Sequence, residues 1–325
     1  MIYPYFAALI LSFAILFKCA DWFVTGASSI ARVLNVSKMM VGIVVVGLAT
    51  TAPEFFVSVM AAYLKHPEIA LGNAVGSVIC DDGIALALAA LLAPAAIMVN
   101  CRTLKIVGLF LLSIDFIAYF LAKNGTVGRA EGLVLVLILV VYFVFIIKGQ
   151  KSIFHRPSPI ADKGEKNVGL SVRKAQLKKP FLLFLGGITG VVISSRLIVL
   201  AAIRIARYFD ISEIIIALTV VAIGTSLPEI STCITAALKG EGEIAVGNII
   251  GADILNILWI IGVASLVNPI TVEVEVVNFA FPYMILIVAV MLAAMRIGCR
   301  LGRIKGLILF AFYLFYLFFT LKLFI

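Results

Sequence analysis

The chain carries one stretch of its sequence twice. Residues 30–94 align without a gap onto residues 205–269 at a constant offset of 175. The matched pairs include Ala31/Ala206, Arg32/Arg207, Ser37/Ser212, Thr50/Thr225, Pro53/Pro228, Glu54/Glu229, Glu68/Glu243, Gly72/Gly247, Asn73/Asn248, Gly76/Gly251 and Pro94/Pro269. A duplication of this kind restricts the fold to two copies of one unit, and a site that uses both copies has to lie where they meet.

Composition fixes the solvent. With 63% hydrophobic and 13% charged residues and a mean hydropathy of +1.20, the chain is too apolar for a soluble domain and belongs in a bilayer. Its apolar runs have the length that spans hydrocarbon as helices, roughly 17–25 residues. Ten such segments are expected, at 4–31, 38–63, 68–93, 103–122, 129–147, 180–207, 213–238, 243–267, 276–295 and 304–323. The alternation of a membrane β-barrel is absent, so the expected class is an all-α polytopic membrane protein. The first segment has no basic start and no small-residue cleavage site, and Lys18, Asp21 and Trp22 interrupt it, so it reads as a retained helix. Cys19, Cys80, Cys101, Cys233 and Cys299 are scattered and odd in number; they give no metal-ligand spacing and imply no disulfide framework.

The net charge of +9 is not a nucleic-acid signal, because of where it sits. Lys148, Lys151, Arg156, Lys163, Lys166, Arg173, Lys174, Lys178 and Lys179 crowd one polar connection between the fifth and sixth segments, as cytoplasmic loops do. The boundaries follow: a first five-helix repeat at 1–148, a basic cytoplasmic linker at 149–179, and a second five-helix repeat at 180–325. Five is odd, so the second repeat enters the membrane in the opposite sense. The repeats are expected to be inverted, both termini to lie outside, and the protein to sit in the cell membrane.

The chemistry is concentrated in the second, third, seventh and eighth segments. Gly47-Leu48-Ala49-Thr50-Thr51-Ala52-Pro53-Glu54 interrupts one apolar helix, and Ala222-Ile223-Gly224-Thr225-Ser226-Leu227-Pro228-Glu229 its counterpart. Proline removes a backbone donor, which is expected to leave carbonyls near Gly47 and Ala222 available to a cation. Thr50, Thr51, Thr225 and Ser226 offer hydroxyl oxygens, and Glu54 and Glu229 offer charge. Calcium takes six to eight oxygens of this mixed kind. A proline bend beside a hydroxyl residue is ordinary in membrane helices. An acid at the centre of one is not, since it costs about 2.5–3.5 kcal/mol on insertion scales.

The next helices carry Gly72-Asn73-Ala74-Val75-Gly76-Ser77 followed by Asp81 and Asp82, and Gly247-Asn248-Ile249-Ile250-Gly251-Ala252 followed by Asp253 and Asn256. Ser77 and Asp81 share a helical face. Asp82 and Asp253 read equally as polar lining or as helix-helix hydrogen-bonding groups, and Asp115 as a structural partner of a neighbouring helix. Asp21 and Arg196 are repeat-equivalent and could pair, line an access path or reach for the interface; His66 and His155 fall in connections.

At these residues the chain resembles the calcium/cation antiporter superfamily, and within it the prokaryotic sodium/calcium exchangers. Gly-Thr-Ser-Leu-Pro-Glu at 224–229 followed by Gly-Asn-Ile-Ile-Gly at 247–251 is a specific signal, and the resemblance covers nearly the whole chain. It implies an inverted five-plus-five fold, a central calcium site flanked by sodium sites, and sliding of the first and sixth helices to switch access. By position it makes Glu54 and Glu229 shared calcium and sodium ligands. Thr50, Thr51, Thr225, Ser226, Ser77, Asp81 and Asn256 complete the cluster, with carbonyls of Gly47 and Ala222. No cofactor is implied.

The chain also departs from the family pattern. Ala49-Thr50-Thr51 stands for Gly-Thr-Ser, and Ala252 lacks the hydroxyl that Ser77 has. Asp81 stands where an Asn is usual, while Asn256 stands where these exchangers can carry Asp. The expected function is therefore antiport of calcium against sodium, with protons or another monovalent ion as the alternative coupling ion. A carboxylate in a low-dielectric site takes up a proton readily, but the acid that usually follows Gly-Asn in proton/calcium exchangers is replaced here by Ala74-Val75 and Ile249-Ile250. No nucleophile and base, zinc spacing or phosphate-binding motif supports an enzyme, and no repeated filter segment supports a channel.

Overall fold

The computed structural model describes residues 3–34, 36–153, 170–209 and 222–324. The expectations for Ser212, for the first part of the seventh helix and for the middle of the linker, His155 included, lie outside the described residues. Within them the chain is nearly all helix. The helices are α1 (Tyr3–Leu34), α2 (Lys38–Tyr63), α3 (Pro67–Leu92), α4 (Cys101–Ala122), α5 (Arg129–Ile153), α6 (Leu170–Tyr208), α7 (Leu227–Leu238), α8 (Gly242–Val267), α9 (Val276–Cys299) and α10 (Arg303–Phe324). Among the described residues, nine of these are long and apolar enough to cross a membrane. α5 and α6 extend into the stretch expected to be linker.

Most boundaries follow from local sequence. Asn100 caps α4 by accepting from the backbone N–H groups of Arg102 and Thr103, and Ser37 caps α2 through the N–H of Met40. Pro67 opens α3, where its missing N–H would be unpaired anyway. Lys65 and Gly240, at positive φ, turn the chain after α2 and α7 at repeat-equivalent positions.

The duplication is visible in the backbone. α3 is α-helical from Pro67 to Cys80, π-helical from Asp81 to Leu86 and α-helical again to Leu92. α8 repeats this with breaks shifted by 175: Gly242–Leu255, Asn256–Ile261 and Gly262–Val267. Four two-residue strands reveal the inversion. β1 (Ile97–Met98) pairs antiparallel with β4 (Arg300–Leu301), and β2 (Thr126–Val127) with β3 (Ile270–Thr271). β1 follows α3 and β3 follows the equivalent α8, yet β1 lies before α4 and β3 pairs beyond its far end. α4 is 22 residues, about 33 Å. Equivalent segments therefore lie at opposite ends of the bundle, as an inverted repeat requires.

α3 and α8 form the centre, with Ile79, Leu86, Ile250 and Ile254 fully buried, while Phe56, Val141 and Phe318 point outward from peripheral helices. So much exposed apolar surface is stable only against lipid. α2 and α8 cross with backbone in contact: a Cβ on Gly247 would strike the Met39 carbonyl oxygen, and one on Gly251 that of Ile43. Gly251→Ala should therefore cost about 1–3 kcal/mol by overpacking, measured as a lower thermal midpoint in detergent. An unchanged midpoint would contradict this crossing.

Two expectations need correction. The helix is not interrupted at Pro53 itself: α2 has a π-helical turn at Gly42–Val46 and then runs as regular α-helix from Gly47 to Tyr63. The Thr50 hydroxyl, one turn before the proline, lies 3.2 Å from the Val46 carbonyl and 3.3 Å from that of Gly47, whereas the carbonyl that Pro53 deprives of its N–H is that of Ala49. The second repeat does break, at Ser226, so that Pro228 takes the first turn of α7. Cys101 and Cys299, expected to be free, form a disulfide across 198 residues. Pairing of β1 with β4, continued by the Val99 N–H to the Cys299 carbonyl at 3.0 Å, brings the start of α4 beside the end of α9. Cysteine spacing could not reveal that.

Candidate cation-binding site

α2, α3, α7 and α8 meet at mid-bundle and bury a set of oxygen-bearing side chains that includes Thr50, Thr51, Glu54, Ser77, Asp81, Ser226, Glu229 and Asn256, each at most 3% exposed. Glu54 of α2 and Glu229 of α7 lie close together, with Asp81 of α3 near both. The Thr51 hydroxyl donates to Glu229 Oε1 at 3.3 Å. Ser226 Oγ approaches Ser77 Oγ at 3.4 Å.

Among the described residues no lysine or arginine pairs with these acids. Both oxygens of Glu54, both of Asp81 and Oε2 of Glu229 are buried without a hydrogen-bond partner among those residues. Buried charge without compensation is costly enough that a folded protein must neutralise it, with a proton or with a cation from outside. The donors available are carboxylate, hydroxyl and amide oxygens, the hard set that suits calcium and sodium.

The other expected residues are placed unevenly. Asn256 opens the π-helical turn of α8, repeat-equivalent to Asp81, and its Oδ1 is buried without a partner. The Gly47 carbonyl lies within reach of Thr50 and hence at the edge of the cluster. Ala222 begins the short turn Ala222–Thr225, just before the break at Ser226. Asp82 and Asp253 adjoin each other beside Asp81, with Asp115 of α4 close to both; all are fully buried. Among the described residues neither oxygen of Asp115 has a hydrogen-bond partner, although it lies near Asp82 of the neighbouring α3. Asp21 pairs with Lys239 at 2.8 Å rather than with Arg196, and His66 lies beside Glu68 in an exposed turn.

Two residues were overlooked as site builders. Thr50 Oγ1 lies 3.0 Å from Asn248 Oδ1, and Thr225 donates to Asn73 Oδ1 at 3.3 Å. The two bonds exchange under the repeat offset, so each asparagine ties its helix to the hydroxyl of the other repeat. Their presence at matching places in both copies was the signal. The symmetry then fails by one atom: the Asn73 amide donates to Ser58 Oγ at 2.9 Å, but Cys233 occupies the equivalent position and Asn248 Nδ2 is unpaired.

Comparison with known proteins decides the family. The model of the family described as sodium/calcium exchanger protein matches residues 4–148 and 179–322, which contain the whole cluster. The chain belongs to the sodium/calcium exchanger family. Among its relatives, the putative antiporter CaxA of Alkalimonas amylolytica is 34% identical over 304 residues, 93% of each chain. The sodium/calcium exchanger MaX1 of Methanosarcina acetivorans is 30% identical over 349 residues, 98% of each. The sodium-calcium exchanger NCX_Mj, solved after soaking without sodium or calcium, superposes with a TM-score of 0.81 at 28% identity, covering 97% of this chain and 98% of that one. As a family member, the chain shares an exchanger fold over almost its full length, so the acid cluster occupies the heart of a transporter.

Proposed function

We propose that this chain is a secondary antiporter that moves calcium across the cell membrane in exchange for sodium by alternating access. The observation that carries this reading is the meeting of repeat-related Glu54 and Glu229, buried, ringed by hydroxyls and paired with no cation among the described residues. In it, Glu54, Glu229 and Asp81 supply the charge. Thr50, Thr51, Thr225, Ser226, Ser77 and Asn256, with the carbonyls of Gly47 and Ala222, supply neutral oxygens. Calcium and sodium use overlapping ligands, so they exclude each other. Closing the bundle over an empty site would bury three uncompensated carboxylates. The access switch therefore requires an ion aboard, and that requirement converts competition into exchange.

One observation favours a second reading, the same scaffold coupled to protons or another monovalent ion. Ala252, fully buried on α8, presents no hydroxyl where its equivalent Ser77 does. If that gap weakens a sodium site, Ala252→Ser should raise sodium affinity about tenfold, the effect of one added hydrogen-bonding-strength ligand, and change calcium affinity less. Sodium dependence of calcium uptake measures both, and an unaltered sodium dependence would place residue 252 off the sodium path. The proposed orientation puts the linker in the cytoplasm and both termini outside, supported by the excess of basic residues at the linker end.

A further inference from the structure

The linker end of the bundle holds basic residues that the exchange chemistry does not use. The start of α4 and the turn from α9 into α10 are clasped there by β1–β4 and the Cys101–Cys299 disulfide. Residues 95–112 and 284–307 contain Arg102, Lys105, Arg296, Arg300, Arg303 and Lys305 and no acid at all. Two of the six are occupied with backbone: Arg303 donates to the Ala93 carbonyl, and Lys305 to those of Ile297 and Arg300. Arg102, Lys105 and Arg296 are exposed and form no ion pair with any described residue.

Beside them a slot of about 330 Å³ opens between α4 and α9, one helix from each repeat. Leu104, Leu109, Leu112 and Leu292 line its length, about 12 Å along α4. Lys105, in the first turns of α4, and Arg296, at the end of the antiparallel α9, line the same slot at its linker end. Leu109 is 57% exposed on the outer surface, so the slot faces the bilayer. The repeat supplies an internal comparison: the residues equivalent to Lys105 and Arg296 are Ala280 and Leu121, so the matching place at the opposite membrane face has neither charge.

We propose that this slot binds one anionic phospholipid, with an acyl chain along the leucines and the phosphate held between Lys105 and Arg296. Any lipid tail fits an apolar slot in hydrocarbon, so the tail confers position and the two cations confer choice. Basic pockets between membrane helices select anionic headgroups in this way. Two uncompensated cations give a preference for phosphatidylglycerol over phosphatidylcholine on the order of 30-fold.

Native mass spectrometry of the full chain in detergent, titrated with phosphatidylglycerol or phosphatidylcholine, tests this. We expect one phosphatidylglycerol retained per chain, and a loss on the order of 30-fold in its affinity when Lys105→Gln and Arg296→Gln are combined. The control Lys178→Gln with Lys179→Gln removes the same charge from the same end and should leave binding intact. Ala293→Trp, which fills the slot from the exposed face of α9 and keeps both cations, should also abolish retention. Equal binding of the two lipids to the native chain, equal loss in the control pair, or full retention in Ala293→Trp would each overturn the proposal.

Discussion

Glu54→Gln and Glu229→Gln should each cut sodium-driven calcium uptake by about two orders of magnitude or more while the protein remains folded. A divalent ion entering this site gives up its water for oxygen ligands, and the negative charge of the two glutamates is the main compensation. Removing one partner of a buried charge arrangement costs about 3–5 kcal/mol, which is a factor of a hundred to several thousand. Folding should survive, because the amide matches the carboxylate in shape and removes an uncompensated buried charge: neither Glu54 oxygen has a protein partner. Radiolabelled calcium uptake into proteoliposomes, with thermal midpoints as the check on folding, measures both. Near-native uptake by either folded variant would remove that glutamate from the site.

The second large effect concerns charge count. Asp81 and Asn256 are equivalent under the repeat offset and each opens a π-helical turn, so the third acid sits on one side of a pseudo-twofold arrangement where either side is geometrically available. Asp81→Asn should weaken apparent calcium affinity by about two orders of magnitude, again through loss of one buried charge. Adding Asn256→Asp should restore most of it, because the total charge returns and the carboxylate moves only to the equivalent position. The concentration dependence of calcium uptake in the single and double variants decides this. A double variant as weak as Asp81→Asn would show that the position of the acid matters, and that the site is less symmetric than its backbone.

Much of this architecture was legible in the chain. The segment expected at 38–63 is observed at Lys38–Tyr63, and that expected at 243–267 at Gly242–Val267, because apolar runs of membrane length end at strong local signals such as His66-Pro67. The pairing of Glu54 with Glu229 was legible because duplication places equivalent residues about a common axis. What escaped were features that depend on contacts between distant parts of the chain. The bond between Thr50 and Asn248 spans 198 residues, and the disulfide between Cys101 and Cys299 spans as many. The continuous helix at Pro53 and the break at Ser226 share the proline, and differ locally in Ala49 against Gly224, which weakens the helix of the second copy two residues before its break. Asp82, Asp115 and Asp253 come from three helices, and their gathering into a second buried group required knowing how α3, α4 and α8 pack.

The coupling ion is the most direct test of the whole account. Purified protein in proteoliposomes, loaded with sodium and diluted into sodium-free calcium buffer, should accumulate calcium. Accumulation should stop when the sodium gradient is collapsed with an ionophore, and should persist when the proton gradient alone is dissipated. Calcium uptake driven by an imposed proton gradient, with no response to sodium, would contradict sodium/calcium exchange and assign the scaffold to the alternative coupling ion.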